Sequence, residues 1–65
     1  MKDNQNLVLK GKIVEKGLSY QKVASLAKVS VVTVQKAVNG GKIRVETALS
    51  IARVLQCNVE NLFGG

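Results

Sequence analysis

Apolar positions recur along most of the chain at spacings of three and four residues, the spacing expected for α-helices with one buried face. Glycine, serine and asparagine interrupt this pattern and divide it into segments. Signals for β-strands are weak apart from short valine clusters. We therefore predict an all-α domain with helices at about residues 6–16, 20–27, 31–38, 45–55 and 59–63.

The first predicted helix buries Leu9 and Ile13, with Leu7 as a further candidate for the same stripe. Gly11 lies inside the helix and costs about 1 kcal/mol relative to alanine, so the helix needs support from its neighbours. Gly17 is expected to end the helix in the left-handed conformation that glycine adopts without strain.

Serines precede the second and third predicted helices, at the position where a hydroxyl caps free backbone amides. Ser19 caps the second helix and Ser30 the third, and a short turn at residues 28–30 joins them. Ala24 and Ala27 are small enough to let a neighbouring helix approach closely. Two short helices joined in this way form a helix-turn-helix.

The fourth and fifth predicted helices close the core. The fourth carries a wide apolar stripe formed by Ala48, Leu49, Ile51, Ala52 and Leu55. Asn58 is expected to cap the fifth helix, whose Leu62 and Phe63 complete the core. Cys57 is the only cysteine, and we interpret it as a small apolar residue near the core.

The third helix has two different faces when residues are counted at about 100° each. With Val34 at the centre of the inward face, Ala37 and Val38 flank it on either side. The outward face then carries Val32, Gln35, Lys36 and Asn39, and Val31 lies at the edge between the two faces.

The outward residue types suit the major groove of DNA. Glutamine and asparagine can bond adenine, lysine can reach guanine or a phosphate, and valine can contact the methyl group of thymine. We predict base contacts from Val31, Val32, Gln35, Lys36 and Asn39. Alternatively, the two valines pack against another helix or a partner subunit, Asn39 only ends the helix, and the other polar residues form a solvated face.

The charge distribution favours a polyanionic partner. The net charge is +6 and the sequence pI is near 9.9, and residues 10–44 hold eight basic side chains against the single acid Glu15. Such a field attracts DNA, although a merely solvated basic surface is an alternative. The residues predicted to contact phosphates are Tyr20, Gln21, Ser30, Thr33, Lys42 and Arg44.

Residues 20–38 resemble the helix-turn-helix of the Cro and phage-repressor (XRE) family, in which small and apolar residues occupy set offsets. Here those offsets hold Val23, Ala24, Ala27, Val29, Val34 and Ala37. Residues 46–55 and 58–63 resemble the last two helices of the family, so the similarity covers about residues 7–63. It implies a five-helix lambda-repressor-like bundle in one domain, residues 1–65, and a Cro-like repressor of transcription.

Three positions depart from the family pattern. Lys28 replaces the usual turn glycine, which requires a lysine in the left-handed region or a slightly strained turn. Tyr20 replaces a glutamine that contacts phosphate, with Gln21 next to it. Arg44 replaces the usual cap of the fourth helix, which frees Arg44 for a phosphate. Residues 29–40 are also similar to lac-repressor-type headpieces, but the additional helices favour the Cro-like alternative.

One such domain reads only a few base pairs, so we expect a homodimer on a pseudo-palindromic operator, with the dimer contact around residues 61–63. No cofactor, metal or enzymatic activity is expected, because the chain has no histidine, no carboxylate pair and no phosphate-binding glycine loop. The N-terminus lacks an apolar run long enough for a signal peptide, so we expect a cytoplasmic protein of bacterial or phage origin. Two other functions remain open: an antirepressor or other protein-interaction module, and a non-specific DNA binder.

Overall fold

The computed structural model describes residues 5–63, which form five α-helices. Their bounds are α1 (Leu7–Glu15), α2 (Tyr20–Ala27), α3 (Val31–Val38), α4 (Val45–Leu55) and α5 (Val59–Phe63). The prediction of an all-α, five-helix fold is confirmed. Only α1 differs from its predicted bounds, because Asn6 and Lys16 are its caps and not its end residues. Within residues 5–63, every helix is too short or too polar to cross a membrane.

A single core of aliphatic and small side chains joins all five helices. Helix α2 packs against α3 and α4, α5 packs against α4 and α1, and α1 also contacts α3. Burying one aliphatic side chain stabilises a fold by about 1.5–3 kcal/mol, so a few residues dominate so small a core. The largest fully buried side chains are Leu9, Ile13, Val23, Val34, Ile51 and Leu55.

Two predicted core positions are wrong. Leu7 is 67% exposed and Leu49 is 43% exposed. Two residues along a helix correspond to a rotation of about 200°, so Leu7 lies almost opposite the buried Leu9. Leu49 is displaced in the same way from Ile51, which faces the centre of the core. Both helices therefore bury a narrower stripe than their apolar residues suggest.

Asn6 connects the ends of three helices. Its Oδ1 accepts a hydrogen bond from the Leu9 backbone N–H at 3.1 Å, which caps α1. Its Nδ2 donates to the Leu62 carbonyl at 2.6 Å, and its backbone N–H donates to the Val38 carbonyl at 2.7 Å. One residue thereby holds the start of α1 against the last residue of α3 and the C-terminal part of α5.

The turns have the predicted conformations. Gly17 ends α1 with φ +70°, and Lys28 ends α2 in the left-handed region with φ 61° and ψ 41°. The Val29 N–H closes the α2 turn on the Ala24 carbonyl at 2.9 Å. A non-glycine residue pays roughly 1 kcal/mol for this conformation, so the lysine stores a small strain.

Cys57 has the predicted environment. It is partly buried and packs against the core, and its Sγ donates to the Leu55 carbonyl at 3.3 Å. The side chain therefore behaves as a small apolar residue at the edge of the core.

Candidate nucleic-acid interface

Helix α3 divides into the two predicted faces. Val34, Ala37 and Val38 are buried, at 0%, 2% and 3% exposure. The outward residues Val32, Gln35, Lys36 and Asn39 are all exposed. Ser30 caps this helix as predicted, because its Oγ accepts a hydrogen bond from the Thr33 N–H at 3.2 Å. The cap and the buried face together fix which side chains α3 presents to solvent.

Val31 and Tyr20 lie at the edges of the exposed surface. Both are partly buried and pack against the core. For Val31 this favours the alternative in which the side chain packs against the protein interior. The ring of Tyr20 likewise contributes to packing, while the neighbouring Gln21 is exposed. The contacts of all three with DNA stay predictions.

Four of the five residues predicted to contact bases lie together. Val32, Gln35, Lys36 and Asn39 line a shallow concave surface of about 380 Å³, which Gly41 completes. We call this the α3 concavity. It combines one apolar side chain, two amides and one ammonium group, which is the mixture of groups needed to contact base edges and thymine methyl groups.

A second depression lies beside it, between α3 and the start of α4. This basic groove has a volume of about 440 Å³ and is lined by Thr33, Lys36, Lys42, Ile43, Arg44 and Thr47. Three of these side chains are cationic and none is acidic. A depression lined by one sign of charge attracts anions, and the two threonine hydroxyls can add hydrogen bonds to phosphate oxygens.

The loop between α3 and α4 presents its two cations because of the residue between them. Ile43 is partly buried and packs against the core, whereas Lys42 and Arg44 on either side are exposed. Arg44 occupies the N-cap position of α4 but makes no capping hydrogen bond with its side chain. The departure from the family pattern at this cap is therefore confirmed, and the guanidinium is available to an anion.

The hydroxyls of Ser30 and Thr33 share one hydrogen bond at 2.9 Å. Each hydroxyl carries one hydrogen, and only one of the two hydrogens is used in that bond. One hydrogen of the pair therefore remains available to a phosphate at the N-terminal end of α3. Of the predicted phosphate contacts, Thr33, Lys42 and Arg44 meet in the basic groove, whereas Tyr20 and Gln21 lie outside its lining.

Sequence reasoning missed Thr47, Ile43 and Gly41 as parts of this surface. Thr47 was detectable, because it lies three residues after Arg44 in the first turn of α4, and helical side chains lean toward the N-terminus of their helix. Ile43 was detectable as an apolar residue between two cations. The place of Gly41 depends on the path of the Lys36 side chain, which the sequence does not reveal.

One comparison with known proteins supports the helix-turn-helix. A family model described as helix-turn-helix matches residues 9–62, which is most of the chain. Neither the curated proteins nor the solved structures gave a significant match. The matched range includes α2, α3 and both depressions described above. The chain therefore belongs to the XRE-type helix-turn-helix family of DNA-binding regulators.

Proposed function

We propose that this protein binds double-stranded DNA in a sequence-specific manner, as a homodimer, and represses transcription as Cro-like regulators do. The observation that carries the proposal is the outward face of α3, which exposes Val32, Gln35 and Lys36 while the opposite face is buried. In this proposal the helix enters the major groove, and the protein acts on the chromosome in the cytoplasm.

The α3 concavity supplies the base contacts. Helix α3 has eight residues. An α-helix with its side chains is about 10–12 Å in diameter, which fits the major groove of about 12 Å width. Gln35 lies in the middle of the exposed face, where its amide can make paired hydrogen bonds to an adenine. Val32 is 66% exposed, and contact with a thymine methyl group would remove this apolar surface from water.

The basic groove and the N-terminal ends of α2 and α3 supply the backbone contacts. Lys42 and Arg44 lie beside α3 and can engage phosphates that flank the bases it reads. Such contacts fix the orientation of the protein on the duplex without reading its sequence. Together with Lys36, three cations per protomer predict a log–log salt slope of about −3 per protomer at 0.9 per phosphate.

A homodimer follows from the small number of base pairs that one α3 helix can read. We place the dimer contact at residues 61–63. Leu62 is buried there, so Asn61 and the exposed part of Phe63 are the side chains that remain available. Val59 lies one helical turn before Phe63 and, with Leu49, lines a neighbouring groove that would extend the contact. A two-fold axis through this region sets half-sites about 34 Å apart along one face of DNA.

The decisive experiment is the selection of bound duplexes from a random library, followed by affinity measurements on single-base variants of the selected site. We expect a pseudo-palindromic site and affinity that falls steeply with salt. Gln35→Ala should relax the preference at one symmetric pair of positions, by about 1–3 kcal/mol, and leave the salt slope unchanged. Replacing Lys42 or Arg44 by alanine should weaken binding to all sequences and reduce the slope by about one unit per protomer.

Three outcomes contradict the proposal in different ways. Equal affinity for all duplexes would indicate a non-specific binder that depends on charge. A salt slope near zero would exclude a role of the basic groove in contacting the DNA backbone. A uniform loss of affinity in Gln35→Ala, at every variant position, would show that this glutamine does not read a base.

A further inference from the structure

Helix α3 ends at two consecutive glycines that have different roles. Gly40 adopts φ +85°, and its N–H donates to the Ala37 carbonyl at 3.2 Å. The Gly41 N–H donates to the Lys36 carbonyl at 2.8 Å, which completes the usual closure of a helix C-terminus. Gly40 already provides the left-handed conformation that this closure requires. The glycine at position 41 therefore needs a separate explanation.

The space around Gly41 is occupied by Lys36. A Cβ atom at position 41 would lie 2.5 Å from Cγ of Lys36, 3.1 Å from its carbonyl oxygen and 3.3 Å from its Cε. A contact of 2.5 Å between two carbon atoms is strongly repulsive, because their optimal separation is about 3.5–4.0 Å. The aliphatic stem of Lys36 therefore lies directly across the backbone of Gly41. By contrast, a Cβ at Gly11 in α1 would meet nothing within 4 Å.

This path of the stem matters because Lys36 is shared by both depressions. It lines the α3 concavity together with Val32 and Gln35, and it lines the basic groove together with Lys42 and Arg44. A lysine side chain has many rotamers in solution and loses that freedom only where packing holds its stem. The backbone of Gly41 is the surface against which the Lys36 stem rests.

We propose that Gly41 is a positioning residue for Lys36. The absence of a side chain at position 41 lets the Lys36 stem lie across the loop. The Lys36 ammonium group can then contact both a base edge and the adjoining phosphate. This inference rests on the proposed function, because it assigns Lys36 a contact with DNA. An alanine at position 41 would occupy the place of Cγ and force Lys36 into another rotamer.

The backbone offers little room to relieve that collision. The Lys36 carbonyl lies 3.1 Å from the position of the added Cβ, and the same carbonyl accepts the Gly41 N–H. Moving the loop away from Lys36 would lengthen the hydrogen bond that closes α3. The side chain of Lys36 is therefore the part that has to move.

The stability test introduces Gly41→Ala into three backgrounds: wild type, Lys36→Met and Lys36→Ala. Methionine keeps a Cγ without the charge, whereas alanine removes the stem. Gly41→Ala should be less favourable for the melting temperature in wild type and in Lys36→Met than in Lys36→Ala, where the gain expected from glycine to alanine is not opposed by the Lys36 stem. The matched control is Gly11→Ala, which should raise the melting temperature in every background, because that site has room for the methyl group.

The DNA test measures affinity and salt slope for the same variants on the selected site. In wild type, Gly41→Ala should weaken binding about fivefold or more and reduce the salt slope by about one unit per protomer, because the displaced Lys36 ammonium group no longer contacts a phosphate. In Lys36→Met and Lys36→Ala, adding Gly41→Ala should leave the affinity unchanged. The effect of Gly41→Ala on stability thus depends on the Lys36 stem, and its effect on affinity depends on the Lys36 charge.

Two results would overturn the inference. The first is an equal loss of affinity from Gly41→Ala in all three backgrounds, which would show that the glycine acts through the fold. The second is the same change in melting temperature from Gly41→Ala beside the intact lysine as in Lys36→Ala. If the wild-type protein binds no duplex at all, the proposed function fails instead, and the stability series alone decides whether Gly41 holds the stem.

Discussion

The division of α3 into a core face and a recognition face can be tested with one chemical change made twice. Val34 is fully buried, and Val32, two residues earlier in the same helix, is 66% exposed. Replacing either by alanine removes the same two carbon atoms. Both replacements also gain about 0.5 kcal/mol of helix propensity, because alanine is the better helix former. The difference between the two variants therefore isolates the effect of burial.

The magnitude follows from the environment of Val34. Two buried carbon atoms contribute about 1.6 kcal/mol at roughly 0.8 kcal/mol each, and an unfilled cavity adds to the loss. Ala37 lies one helical turn away on the same face and is too small to fill the space. After the gain in propensity, Val34→Ala should cost about 1–3 kcal/mol, or a melting temperature about 5–20 °C lower for a domain of this size.

The assay is urea denaturation monitored by circular dichroism, with DNA binding measured in parallel. Val32→Ala should leave stability unchanged or slightly higher, while it weakens the preference for thymine at the base pair that it contacts. Val34→Ala should show the opposite result. Its stability should be lower, and its base preference should be unchanged under conditions in which the variant remains folded. Equal destabilisation by both variants would refute the assignment of the two faces.

Two further changes test the contacts that hold α3 in place. Asn6→Ala should lower the free energy of unfolding by about 1–3 kcal/mol, because it removes the α1 cap and the donor to the Leu62 carbonyl. Asn6→Ser keeps an oxygen that can cap α1 and places no new acceptor against the Leu62 carbonyl, so it should lose less. Equal losses in a denaturation series would contradict the role of the cap. Lys28→Gly should raise stability by up to about 1 kcal/mol, because glycine adopts φ 61° without strain. A lower denaturation midpoint in Lys28→Gly would mean that the lysine side chain stabilises the turn.

The sequence was sufficient to predict helix starts and helix faces where capping residues and the helical spacing of apolar residues indicate the same structure. Ser19 and Ser30 mark the starts of α2 and α3, and each makes the capping hydrogen bond that its position predicts. The faces of α3 were predictable because polar and apolar residues separate clearly around that helix. Since these signals involve residues three or four apart, no knowledge of the tertiary structure was needed to use them.

The same reasoning was only partly right where apolar residues surround a helix: it identified the buried Leu9 and Ile13 of α1 but added the exposed Leu7 to their stripe. In α1, Leu7 and Val14 are exposed although they are as apolar as the buried Leu9. How far the buried stripe of such a helix extends is decided by the elements that pack against it, and the sequence of the helix alone does not contain that information. Asn6 is a further case, because its partner Leu62 lies 56 residues away along the chain.

If α3 reads DNA as proposed, its arrangement separates stability from recognition within eight residues. Its buried side chains pack against the core, whereas Val32, Gln35 and Lys36 are exposed to solvent. Changes at Val32 or Gln35 can therefore alter base preference at little cost in folding free energy, because surface substitutions usually change stability by less than about 0.5 kcal/mol. Lys36 is the exception, because its stem lies against Gly41. A substitution that places a larger residue at position 41 would also displace the Lys36 side chain. In the proposed function, recognition and folding therefore constrain each other at Gly41 and Lys36.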